Sequence, residues 1–325
     1  MARTGRTEVA YSFAQIGAAI EAVQKKAIEK ACLQRAIPPW DHSERDYDQN
    51  IQMGEIQQYF STVPSLIGPF QDMPAASEFT TIQDLLSGSA QYLATTQNTP
   101  RAEYALPGEP RTEYAGAVTT STYLSEWSGR AAREFRTNYL DPLPIQLGGQ
   151  FNAVSAAHAM MVAEAKLWDA VREDVMTNIN GCLGALDQLD KWCGKNGWTI
   201  TLTAVASIAT IAAVPLSAGV AIPLALATAD AGSSFAVSLL KDDPPPPSKA
   251  YNGGTAEELV MQLARALQDT IDQLVQEESR IGAFLTLLAG TLDGANREKF
   301  VPKRPLLAGT TDANYADDQN LGTAS

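Results

Sequence analysis

Apolar positions recur along this chain at helical spacing almost throughout, and no segment shows the alternation of a half-buried strand. Val9, Phe13, Ile16, Ile20, Val23 and Ala27 step by four and three, which predicts a first amphipathic helix that Pro38 and Pro39 stop. Short helices are expected over 54–60 and 82–95. Around them Pro64, Pro69, Pro74, Pro100, Pro107 and Pro110 break the stretch from about 38 to 117 into a loop-rich layer. A helix over about 119–139 then leads to a break at Asp141-Pro142-Leu143-Pro144.

The longest pattern follows that break. Phe151, Val154, His158, Met161, Ala165, Trp168, Arg172, Val175, Ile179, Cys182, Leu186 and Leu189 alternate steps of three and four, the spacing of a coiled-coil seam. A second seam runs through Leu263, Leu267, Ile271, Leu274, Glu278, Ile281, Leu285, Leu288 and Leu292, after an N-cap at Thr255 with Glu258 three residues on. Each stripe alone leaves its surface in water, so the two are expected to pack antiparallel. The fold class is therefore all-α, an elongated helical bundle with long antiparallel heptad-patterned helices and an apolar helical hairpin. Its expected organisation is an N-terminal helix and loop-rich layer over 1–117, a main bundle over 118–299 and a disordered tail over 300–325. The bundle would include the apolar hairpin at 196–240 and a Pro-rich connector at 241–254, where Pro244 to Pro247 favour polyproline II.

The hairpin rests on a run without charge from 196 to 229, between Lys195 and Asp230. A bilayer-spanning helix needs only about 20 apolar residues. Pro215 and Pro223 interrupt the run, and Ala212 and Gly219 lie beside them. Short apolar helices near 200–214 and 220–240, folded back at the prolines, fit better than one straight span. A buried central helix, hydrophobic all round, is the alternative. A permanent span fits less well, because Thr199, Thr201, Thr203, Ser207 and Thr210 sit in it.

Charge and cysteines narrow the function. A formal net charge of −13 and a pI near 4.6 argue against non-specific nucleic-acid binding and against attraction to anionic lipid, so any membrane contact must be apolar. Glu8, Gln15 and Glu21 interrupt the N-terminal stretch where a Sec signal would be apolar. Cys32, Cys182 and Cys193 are odd in number and lack metal-ligand spacing, and are read as core or surface thiols. His42 and His158 are the only histidines, and with no nucleophile elbow or phosphate loop no enzyme, cofactor or metal is expected. Asp46, Asp48 and Asn50 have the one-three-five spacing of a calcium loop, yet Ile51 replaces its glycine and Gln57 its terminal glutamate, so a solvated acidic turn is expected.

Inside the seams, His158, Arg172 and Glu278 stand where apolar side chains would pack. Each is expected to meet a partner across the bundle or to snorkel to its edge, with Glu278 opposite Arg172 and a register or pH-switch role open to His158.

Trp127-Ser128-Gly129, followed by Ala131-Ala132 and Phe135, resembles the turn signature of the WxG family of type VII (ESX) secretion substrates, helical hairpins exported without a Sec signal, and their larger secreted relatives. That resemblance, over about 123–189, implies that Trp127 packs the hairpin end and Gly129 permits the turn. Long amphipathic helices bracketing an uncharged hairpin are also similar to the α-helical pore-forming toxins of the cytolysin A and tripartite haemolysin type. Together these imply a secreted, homo-oligomerising protein, without enzymatic activity, whose partners are a secretion machinery or a helical protein and, through the hairpin, a lipid membrane. An intracellular scaffold bundle is the alternative.

Overall fold

The computed structural model describes residues 11–38, 45–93, 129–189, 200–202, 249–251, 253–293 and 300–301. Within them the chain is all-α, apart from two three-residue strands. The helices are α1 (Phe13–Gln34), α2 (Tyr47–Phe60), α3 (Ala76–Leu93), α4 (Arg130–Phe135), α5 (Leu143–Gln188) and α6 (Ala256–Asp293). A 3₁₀ segment (Val63–Phe70) links α2 to α3, and a π turn (Arg136–Leu140) extends α4. The strands are β1 (Ile200–Leu202) and β2 (Lys249–Tyr251).

Local chemistry sets the helix ends. Ser12 caps α1 in a reciprocal box with Gln15, satisfying orphan backbone donors at both positions. The other end stops before Pro38 through a Schellman arrangement, in which Ile37 N donates to Cys32 O at 2.9 Å and Ala36 N to Leu33 O at 3.1 Å. Ala36 takes the left-handed conformation there, φ 54°, that glycine usually supplies. Asp46 and Gln49 form a second capping box, so α2 begins earlier than the expected 54–60. The acidic turn and the calcium loop are both replaced by this cap: Asp46 Oδ1 accepts from Gln49 N at 2.7 Å. α3 likewise starts earlier than 82, and α5 opens at Leu143, where Pro144 in the first turn loses no intrahelical donor.

The chain forms two compact units. The first draws on 1–78, 164–212 and 242–279, and its core is built from α1, α2, the 3₁₀ segment and parts of α5 and α6. Ile16, Ile20 and Val23 of α1 are buried with Ile56 and Phe60 of α2 and with Ile67 and Phe70 of the 3₁₀ segment, while Leu167, Ile179, Leu259 and Leu263 carry the long helices. Fully burying one such side chain stabilises by about 1.5–3 kcal/mol. Gln24 Nε2 donates to Phe60 O at 3.0 Å and fixes the end of α2 against α1. In this unit Cys182 Sγ lies 3.8 Å from Leu259 O, and Glu278 acts on Glu164. As residue numbers rise along one helix they fall along the other, so the two segments are antiparallel neighbours here.

The second unit draws on 79–163, 213–241 and 280–325. Here α3 docks on the N-terminal part of α5: Ala90 and Phe151 are buried together, with Leu93 and Val154 packed against them. Phe300 is also buried, and Gln150 Nε2 and Gln146 Nε2 donate to the carbonyls of Phe300 and Val301 at 2.5 and 3.4 Å. The start of the region expected to be a disordered tail is therefore anchored.

Candidate functional site

Ile200 was expected to open a short apolar helix, and instead lies in a strand. Ile200, Thr201 and Leu202 pair antiparallel with Tyr251, Ala250 and Lys249. Two of the three β1 residues are β-branched, which favours extended backbone once a partner is in reach. The ribbon joins the two flanks of residues 203–248 in the first unit. Ala212, Pro215, Gly219, Pro223 and the connector prolines lie outside the described residues. Among the described residues, no helix is long and apolar enough to cross a membrane.

The chain just beyond the ribbon is fastened to the C-terminal end of α1. Gln34 Nε2 donates to Gly254 O at 2.8 Å, its Oε1 accepts from Ala256 N at 3.3 Å, and Arg35 pairs with Glu257 at 3.0 Å. Gly253 admits no larger residue without movement, because an added Cβ would stand 3.1 Å from Leu259 Cδ2 and 3.2 Å from Glu258 Cβ. Thr255 caps α6 as expected, its Oγ1 accepting from Glu258 N at 3.2 Å, while Glu258 reaches back to Gly254 N at 2.7 Å. On the other flank, Lys26 of α1 pairs with Asp187 at 3.0 Å near the end of α5. That hydrogen bond holds the Lys26 ammonium above its ordinary value against partial desolvation.

The polar seam residues find partners other than those expected. Arg172 is buried, and it bonds Asp169 at 3.1 Å, the carbonyl of Met73 at 3.2 Å and that of Pro74. It thus clamps the chain just ahead of α3, and its partners are these and not Glu278. Glu278 instead raises the pKa of Glu164, after burial and against the Trp168 indole, which donates to Glu164 Oε1 at 2.9 Å. Burial also pushes Asp169 up, with Arg172 opposing. The first unit further buries Lys30, Asp174, Asn178, Thr270 and Glu277. Its buried ionisable side chains are two basic, Lys30 and Arg172, and two acidic, Asp174 and Glu277.

His158 stands in the second unit on the face of α5 that meets α3. Its ring is half-buried; burial lowers its pKa below the ordinary 6.5, and Asp84 of α3 partly opposes the shift. One turn away Gln83 Nε2 donates to Met161 O at 3.1 Å. The seam positions 151, 154, 158 and 161 are thus served by α3 here.

Gly129 stands as the N-cap of α4 with φ 103° and ψ −178°, a conformation open essentially to glycine alone. Phe135 stacks on Tyr139 at 5.2 Å between ring centroids. Trp127 lies outside the described residues. Cys32 and Cys182 are buried free thiols; burial pushes Cys182 up to about 12, and Cys32 Sγ rests 3.2 Å from Met53 Sδ. Such thiols pack and do not react at neutral pH. Among the described residues, no group of three or more His, Cys, Asp or Glu is placed to hold a metal ion. No family model, curated protein or solved structure matches the chain.

Proposed function

We propose that this is a membrane-active helical-bundle protein, in which the uncharged run is an apolar insertion carried on the bundle and delivered to a lipid bilayer. The observation that carries this reading is the ribbon between 200–202 and 249–251, which brings together the ends of 203–248, a segment that contains most of the run with no charge over 196–229. The protein is read as an elongated bundle, secreted without a Sec signal and assembling as a homo-oligomer at the membrane, in the manner of an α-helical pore-forming component. The test is dye release from vesicles by the intact chain, across pH and lipid composition, against a variant with 203–248 replaced by a short turn and against Ala212→Asp. A carboxylate at mid-membrane costs about 2.5–3.5 kcal/mol on insertion scales, so both variants should leave vesicles tight. Vesicles that stay tight with the intact protein under every condition would leave the scaffold-bundle reading in its place.

A second reading, export by a type VII machinery, is favoured by one observation. Gly129 adopts the positive φ that the glycine of a Trp-x-Gly turn requires. Under this reading Trp127→Ala and Gly129→Ala both impair export from a cell that carries such a machinery. Unchanged export of both variants would separate this Trp-x-Gly from the family signature.

A further inference from the structure

α2 turns a mixed aromatic and acidic face to solvent. Its inner face buries Met53, Ile56 and Phe60, while Tyr47, Ile51, Glu55 and Tyr59 follow one another along the outer face at steps of four. At about 100° per residue these four span about 120° of arc, and Asp48 falls among them. Tyr47, Ile51 and Tyr59 are 79%, 47% and 50% exposed, and Asp48 and Glu55 are exposed with them. The helix contains no Lys or Arg. Tyrosine rings set beside carboxylates, with no cation among them, suit a guanidinium, which stacks on the rings and pairs with the acids.

The second unit carries such a surface. Arg133 of α4 and Arg136 of the π turn are both exposed, three positions apart, beside the stacked rings of Phe135 and Tyr139. Residues 129–140 hold three arginines against one glutamate, in a chain of net charge −13. That glutamate, Glu134, accepts from Asn138 Nδ2 at 2.7 Å. The other exposed cations among the described residues have acidic company. Lys25, Lys166 and Arg265 each have an acidic residue three or four positions away on the same helix, and Arg35 pairs with Glu257. At those steps the only charged residues near Arg133 and Arg136 are arginines.

We propose that the α2 face of one copy takes the Arg133–Arg136 face of another, so that the chain assembles head to tail. This deepens the homo-oligomer reading above and rests on it for the assembly's purpose. The two faces differ and belong one to each unit, so the contact is heterologous and repeats until it closes a ring or grows a filament. Tyr and Arg are also the residue types on which interface energy concentrates.

Sedimentation of the full chain at pH 7.4 tests this over about 1–200 µM, the span of a modest interface. The weight-average mass should climb past twice 34.8 kDa, because a heterologous contact does not stop at two copies. Arg133→Glu with Arg136→Glu should stay monomeric over that span, and so should Asp48→Lys with Glu55→Lys, because each sets like charges together. Mixing the two variants should restore assembly, since reversed faces then meet reversed faces and native ones meet native. Tyr47→Ala should weaken assembly about tenfold by removing a ring for the guanidinium to stack on. Far-UV circular dichroism confirms that each variant folds; where a double change does not, Arg133→Glu and Glu55→Lys alone carry the same test. A wild type that stays monomeric overturns the contact and leaves the α2 face to a basic segment of another protein. A mass that stops at the dimer, assembly that survives either reversed variant, or a mixture of folded variants that stays monomeric overturns the pairing of these two faces. Dye release by a chain that never assembles sinks the contact alone, and assembly beside vesicles that stay tight sinks the insertion reading alone.

Discussion

Removing the Arg172 side chain should be among the most damaging single changes in the first unit. The guanidinium is 7% exposed and serves three acceptors on two stretches of chain: Asp169 within α5, and the carbonyls of Met73 and Pro74 ahead of α3. Breaking a buried ion pair by removing one partner costs about 3–5 kcal/mol. Asp169 is 40% exposed and recovers part of its hydration, which moves that figure down. The two carbonyls add about 1 kcal/mol each at the lower end of the range, since Met73 and Pro74 are only half-buried. Arg172→Ala should therefore cost about 3 kcal/mol, seen in urea as a midpoint lowered by about 1 M or more. Arg172→Lys should fall between, because one ammonium does not reach all three acceptors. Asp169→Asn should cost less than either, because the carbonyl contacts survive it. If Arg172→Ala unfolds within about 0.5 kcal/mol of the wild type, or if Asp169→Asn matches it, the clamp on Met73 and Pro74 contributes nothing and the reasoning fails.

Three other substitutions probe single features. Ala36→Gly should stabilise by about 1 kcal/mol, because Ala36 sits at φ 54° where a Cβ is costly; a lower melting temperature would refute the strain. Gly129→Ala should destabilise by about 1–3 kcal/mol for the converse reason, although nothing lies within 4 Å of the added methyl, so an unchanged melt would mean that the turn relaxes freely. Glu164→Gln keeps an acceptor for the Trp168 indole and removes a carboxylate whose pKa burial and Glu278 raise. A group raised on folding loses its contribution as pH climbs through the folded value, so this variant should gain stability at pH 7 and lose the gain below about pH 4. A gain that persists at pH 3, read by denaturant titration, would refute the electrostatic cause.

The helical class was legible because the stripes are long, while their partners were not. The stripe through Phe151 to Leu189 announces a buried face without naming what covers it. α3 covers it at Phe151 and Val154, whereas Arg172 meets Met73 and Pro74 and Cys182 meets Leu259. The start of α6 was readable because a capping box, Thr255 with Glu258, was sought there. Ser12 with Gln15 and Asp46 with Gln49 fit the same box and were missed, the second because its polar neighbours read as an acidic turn. The end of α1 hid itself, since Ala36 stands where glycine would have signalled the stop. The ribbon left no pattern at all: three residues are too few for alternation to show, and its partner is 249 for 202. Of the candidate site, Gly129 and Arg172 were found from sequence, whereas Gln34, Arg35 and Asp84 were missed because exposed polar residues carry no periodic signal.

The ribbon's stability must come from elsewhere in the first unit. Two strands of three residues are marginal alone, and closing a loop of the length of 203–248 costs about 3–4 kcal/mol beyond a constant term. α5 and α6 supply the difference, because they bury Ile179, Leu186, Leu259 and Leu263 for their own reasons and bring Cys182 within 3.8 Å of Leu259 O. Gln34 and Arg35 then fix the exit side, and Lys26 braces Asp187 on the entry side. With the flanks already adjacent, lengthening the connection adds only about 0.6 kcal/mol per doubling. An ordinary connection between two antiparallel helices needs about 2–8 residues. The segment between the strands, 203–248, is far longer than that, and no charge falls in it before Asp230. That length and that freedom from charge are the reason to seek its purpose in a surface outside the bundle.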